Sequence, residues 1–123
     1  MTQILASLKR KLVVIEGPYA ANSIEESRRN ADYLRKAMRH SIFHGEAPFA
    51  SHMIYTQVLD DKIASERATG IEMGFAWGEN ADLIAIYTDL GITNGMRRGI
   101  AHYESLGIPI EYRTVPIEGL DFI

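Results

Sequence analysis

Apolar residues along this chain fall into short runs separated by amphipathic stretches. Leu12-Val13-Val14-Ile15 is a compact, β-branched run between Lys11 and the turn signal Gly17-Pro18, which predicts a buried strand. Its apolarity is continuous, as expected of a parallel strand covered on both faces. Ser23-Ile24-Glu25-Glu26 has the form of a capping box, with Ser23 as N-cap and Glu26 reaching back. The helix it opens would present Ala31, Leu34, Met38 and Ile42 to the core, keep Arg28, Arg29, Asp32, Arg35, Lys36 and Arg39 outside, and stop at Gly45. Ala47-Pro48-Phe49-Ala50 reads as a brief second strand, weakened by Pro48.

The segment from His52 to Ile63 has no clean period and predicts a loop over the strand ends. Ala64 to Trp77 reads as a helix with Ala68, Ile71, Met73 and Phe75 inward, although Gly70, Gly74 and Gly78 lower its propensity. Asp82 to Tyr87 is a clear strand and Thr88 to Asn94 a loop. Gly95 to Leu106 is a helix with Ile100, Tyr103 and Leu106 on one face, stopped by Gly107, and Ile108 to Val115 is a last strand. Met1 to Arg10 is either a short amphipathic helix through Ile4, Leu5 and Leu8 or a frayed end.

This alternation of strand and helix predicts an α/β three-layer sandwich: a mainly parallel sheet, right-handed crossovers, and helices on both faces. Ligands of such sheets sit beyond the carboxyl ends of the strands. Those ends carry Glu16 to Tyr19, Phe49 to Met53 and Tyr87 to Gly95. A length of 123 residues suits one domain, with 1–10 and 116–123 as peripheral tails.

Composition narrows the function classes. The net charge of -3 disfavours a nucleic-acid polymer as partner, so any phosphate must be held by a few placed groups. The chain has no cysteine, which excludes disulfides and thiolate metal sites. Neither a signal peptide nor a membrane-spanning run is evident, so a cytoplasmic location without membrane partners is expected.

Two loops carry candidate chemistry. Gly17-Pro18-Tyr19 leads to the helix start at Ser23, where free N–H groups and the dipole suit an anion, with Arg28 and Arg29 a turn or two on. The plain alternative is a tight turn beside a solvated basic face, and no phosphate-loop fingerprint is present. In Thr88-Asp89-Leu90-Gly91-Ile92-Thr93-Asn94-Gly95, Asp89 follows a buried strand and suits sugar hydroxyls, and Thr93, Asn94 and Gly95 open a second helix. Arg97 and Arg98 in its first turn oppose the helix dipole, which a bound phosphate would resolve and an outward orientation would make harmless. Glu72, near Phe75 and Trp77, could work beside a stacked base, or those rings are core and interface. Of the four histidines only His52 falls at a strand end. No metal spacing is present, and no cofactor is expected.

Several segments, in order, resemble the nucleoside 2-deoxyribosyltransferase-like superfamily, nearest to its small phage-borne domains. They are Val14-Ile15-Glu16-Gly17-Pro18-Tyr19, Glu66 to Gly74, Ala81 to Ile86, Thr93-Asn94-Gly95-Met96, and Leu106-Gly107-Ile108-Pro109-Ile110. The resemblance spans roughly residues 12–112. It implies a flavodoxin- or Rossmann-like sheet of four to five strands, a nucleotide or nucleoside ligand, and homo-oligomers that complete one another's sites. It also implies Gly17 and Tyr19 in the first loop, Asp89 at the sugar, and Asn94 and Gly95 around a 5′-phosphate; Pro18, Arg28, His52, Thr93, Met96 and Arg97 complete the expected ligand-binding set. The superfamily's catalytic glutamate corresponds to Gly99 here, which can neither attack nor carry charge. Glu16 and Glu72 are the substitutes at hand, and with Asp89 they are the candidate catalytic residues. The expectation is therefore a protein that holds a nucleotide, such as a phage-encoded sponge for a nucleotide signal in the host cytoplasm. The alternative is an N-glycosidase or deoxyribosyltransferase with a relocated carboxylate.

Overall fold

The computed structural model describes residues 9–115. Along them β1 (Leu12–Glu16), α1 (Ile24–Phe43), β2 (Ala47–Phe49), α2 (Ala64–Gly78), β3 (Leu83–Tyr87), α3 (Asn94–Ser105) and β4 (Ile110–Arg113) alternate, with two short 3-10 turns, Ser51–Met53 and Tyr55–Gln57, before α2. The four strands are all parallel, in the order β2-β1-β3-β4. This is the expected Rossmann/flavodoxin-like three-layer architecture. The reading of Met1 to Arg10 as a helix and the tail beyond Val115 lie outside the described residues, except that Lys9 and Arg10 are not helical.

Strand alternation divides the core in two. Val13, Ile15, Leu83, Ala85 and Tyr87 face α1, where Tyr33, Leu34 and Ala37 cover them. Val14, Ile84 and Ile86 face the other way, under Met96, Ile100 and Tyr103 of α3, with Phe75 of α2 alongside. All five residues of β3 are buried, which accounts for its unbroken apolar sequence. Two of the helix starts are capped by side chains: at α1 Ser23 Oγ accepts from the Glu26 N–H at 3.1 Å, and at α3 Thr93 Oγ1 accepts from the Met96 N–H at 3.2 Å. Gly45 (φ 79°) and Gly107 (φ 72°) stop α1 and α3 in the left-handed region.

Two helix faces differ from the hydropathy pattern. In α1 the buried residues include Tyr33, Ala37 and Ser41, while Ile42 is 54% exposed. The hydroxyls explain the rotation, because Tyr33 donates to Asp89 at 2.5 Å and Ser41 to Glu46 at 2.7 Å. A polar tip with a partner is buried at little cost. In α2 the inward residues are Gly74 and Gly78, and Ala68, Ile71 and Met73 are exposed. A Cβ at Gly74 would lie 2.9 Å from Ser51, and one at Gly78 would collide with the Tyr103 hydroxyl. The glycines that weaken this helix locally are what let its neighbours approach.

Beneath α1 lies a buried ion pair. Arg113 grips Glu46 through two bonds of 2.7 Å, donates to Tyr87 Oη at 3.3 Å, and ties the end of β4 to the start of β2. The two side chains are 8% and 11% exposed. Arg113, with help from Ser41, holds the Glu46 carboxyl below its ordinary value. Removing one partner strands the other charge, so Arg113→Ala should lower unfolding stability by about 3–5 kcal/mol in denaturant titrations at pH 7. Because Glu46 is lowered, its contribution is complete above about pH 4.5 and is lost as pH falls through its folded value. The deficit of Arg113→Ala should therefore shrink towards pH 3; a deficit independent of pH would argue against this role.

Candidate functional site

The strand order reverses at β1. One crossover carries the chain from β1 to β2 across the α1 face, and the next carries it past β1 to β3 across the opposite face. The loops after β1 and β3 therefore leave in different directions, and a crevice opens between them. A cavity of about 240 Å³ lies here, on the α2/α3 face.

Its walls come from four segments. Glu16, Gly17 and Tyr19 enter from the end of β1. Ser51, His52, Tyr55 and Thr56 enter from the turns after β2. α2 contributes Arg67, Gly70, Gly74 and Phe75, and α3 contributes Gly95, Arg98, Gly99 and Tyr103, with Thr93 at its cap. Glycines recur where the helices line the space, which keeps those walls thin.

Glu16 follows Val14 on the α2/α3 face of β1. Its carboxyl lies against Gly99, where an added Cβ would sit 3.8 Å from Glu16 Cδ. A longer side chain at 99 would compete for the space that this carboxyl fills. Burial pushes Glu16 up from 4.5 to about 7. The Tyr103 hydroxyl is also raised, first by burial and then by the nearby Glu16 charge. Across the cavity the Tyr19 and His52 rings stack, with centroids 4.5 Å apart and planes within 9°. Burial lowers His52 below its usual 6.5, so near neutral pH it is an uncharged ring. Arg67 and Arg98 supply positive charge, and the α3 N-terminus adds its dipole. Among the described residues no group of three or more His, Asp or Glu side chains could hold a metal ion.

The structure brings together Glu16, Gly17, Tyr19, His52, Thr93 and Gly95 from the sequence-predicted site. It places others elsewhere. Asp89 turns to the α1 face, where its carboxylate accepts from Tyr33 Oη and from the Val115 N–H at 2.8 Å. Its bonds thus tie a helix and the end of β4 to the loop after β3. Met96 is a core side chain whose sulfur accepts from the Thr93 N–H. Pro18 is buried without lining the cavity, and Arg28, Glu72, Asn94 and Arg97 are exposed outside it. Arg98, not Arg97, faces inward, because it shares the helical stripe of Gly95, Gly99 and Tyr103. That spacing of three to four residues was the available signal for Arg98. Ser51, Tyr55 and Arg67 carried no comparable signal, since a segment without clean periodicity brings the first two to the site.

A family model described as "Domain of unknown function (DUF7768)" matches residues 11–113, which hold the whole sheet and the cavity. No curated protein and no solved structure matches the chain.

The Glu16 shift makes a stability prediction. A carboxyl raised on folding favours the folded state below its unfolded value, and that benefit is lost as pH rises from about 4.5 through about 7. Glu16→Gln should leave stability at about pH 4 nearly unchanged and raise it at about pH 8 by an amount on the order of 3 kcal/mol. Denaturant unfolding at the two pH values checks this; an equal effect at both would mean that Glu16 titrates normally.

Proposed function

The chain belongs to the DUF7768 family, whose function is unknown, and from the geometry of its cavity we propose that it binds a nucleoside or a nucleoside monophosphate at the β1/β3 crevice. The observation that carries this reading is the cavity's position and make-up. It lies at the reversal of strand order, and joins a flat aromatic pair, a half-buried carboxyl, and a capped helix start with Arg98. Aromatic faces suit a base. The α3 N-terminus and Arg98 suit a phosphate. A volume of about 240 Å³ is small for a ligand pocket, which favours a single nucleoside unit over a dinucleotide.

A second reading, cleavage of the N-glycosidic bond, is favoured by one contact. Glu16 sets a carboxyl beside Gly99, at the helix position where the resembling enzymes carry their glutamate. A carboxyl near 7 suits protonation of a leaving base better than nucleophilic attack. Holding remains the preferred reading, because Asp89, expected at the sugar, is engaged on the other face. No helix among the described residues is long and apolar enough to cross a membrane. The exposed Trp77 and Met73 of α2 suit burial against a second copy, as the resemblance implies. A phage-encoded protein that sequesters a nucleotide signal in a host's cytoplasm is compatible with this holding role.

Nucleoside monophosphates and their parent nucleosides should raise the melting temperature, by the equivalent of about 2.7 kcal/mol at a hundred times Kd. Arg98→Ala should weaken a monophosphate by roughly tenfold or more and leave its nucleoside unchanged, as expected for loss of a charge-assisted hydrogen bond. Absence of any shift across the panel would reject the reading. Chromatography of the incubated mixtures decides between the two forms: free base accumulating with time means cleavage, and intact ligand means holding.

A further inference from the structure

Glu25, Glu26, Asp61, Glu72 and Glu104 share with Glu16 the lack of a side-chain partner among the described residues, and Glu16 differs from them in standing at the end of a core strand, against Gly99. By contrast, Glu46, Glu111 and Asp32 each pair with an arginine, Glu79 contacts the His102 ring at 3.2 Å, Asp89 accepts two hydrogen bonds, and Glu66 accepts from the Asp60 N–H. Among the described residues none donates a hydrogen bond to the Glu16 carboxyl or forms an ion pair with it. Opposite it stands the bare backbone of Gly99, and beside it the cavity. An ionised carboxylate with no protein donor is disfavoured beside the apolar strands, whereas a neutral carboxylic acid presents an O–H towards the cavity.

Resting on the nucleoside reading above, we propose that Glu16 is the cavity's hydrogen-bond donor and determines ligand specificity, so that the bound molecule presents a neutral acceptor, a ring nitrogen or carbonyl of a base, to the end of β1. The charged and titratable groups around it are compatible with this. Tyr19 enters from the first loop, His52, Tyr55 and Asp61 from the β2–α2 connection, Glu66 and Arg67 from α2, and Arg98 and Tyr103 from α3. Neither arginine comes within ion-pair distance of Glu16. The direction of its titration, upward by burial alone, agrees. Glu16→Gln is the informative substitution, since an amide keeps a donor at nearly the same place and cannot ionise.

The test has two arms on the full chain. In the first, ¹³C NMR follows the Glu16 carboxyl carbon in the free protein from pH 4 to 9, with Glu16→Gln identifying the signal. A midpoint near 7 is expected; one near 4.5 overturns the proposal whatever binds. In the second, calorimetry measures adenosine, guanosine, cytidine and uridine from pH 6 to 8.5, where their own phosphate-free chemistry adds little titration. The expected result is that the best binder weakens above the Glu16 midpoint, towards tenfold per pH unit. Glu16→Gln should match wild type within a few-fold at pH 6 and stay flat with pH, while Glu16→Leu should lose at least tenfold at pH 6. Affinity that rises with pH and vanishes in Glu16→Gln would show a charged acceptor and overturn the proposal. If no nucleoside binds wild type at any pH, the nucleoside reading fails, and with it the ligand named here. The first arm still reports separately whether Glu16 holds a proton.

Discussion

The reversal of strand order about β1 is the constraint from which the rest of this structure follows. With β2 on one side and β3 on the other, successive crossovers must run over opposite faces of one parallel sheet. Each face then needs its own apolar layer, and the continuous run from Val13 to Ile15 serves both. The loops that follow β1 and β3 must diverge, and the space between them cannot be filled by either. Helices α2 and α3 lean over that space but carry glycine where they line it, so it remains a cavity. Glu16 sits at its base because it is the last residue of β1 on the α2/α3 side.

The two faces do different work. The α1 face spends its polar groups on architecture: Arg113 and Glu46 join β4 to the start of β2, and Tyr33, Asp89 and Val115 join α1 to the loop after β3 and the end of the sheet. Those groups are mutually satisfied. On the α2/α3 face the Glu16 carboxyl has no protein partner among the described residues and lines the cavity instead. A site recognised by its chemistry therefore stands on one face only, although loops from the same strand ends serve both.

This division explains what could be read from the sequence. The strand and helix order, the parallel sheet and the helix caps at Ser23 and Thr93 were legible because each rests on local chemistry: β-branched runs, cap hydroxyls and stop glycines. Which way a side chain turns was less legible. Asp89 looked like a sugar ligand from its place at a strand end, yet Tyr33, fifty-six positions earlier, claims it. The inward face of α2 was misread because hydropathy gives no weight to Gly74 and Gly78, whose value is the absence of a side chain. Glu16 was identified as a candidate substitute at position 99, but only the parallel register and the path of α3 set it against Gly99. No local pattern encodes that contact.

The account's central claim is that one face of the strand ends binds a small molecule while the other is structural. Amide chemical-shift mapping with the tightest-binding nucleoside tests it most directly. The account predicts that the largest changes fall on Glu16, Gly17, Tyr19, His52, Gly95 and Gly99, with Tyr33, Asp89 and Val115 little moved. Changes centred on Asp89 and α1, or scattered over the surface, would contradict it.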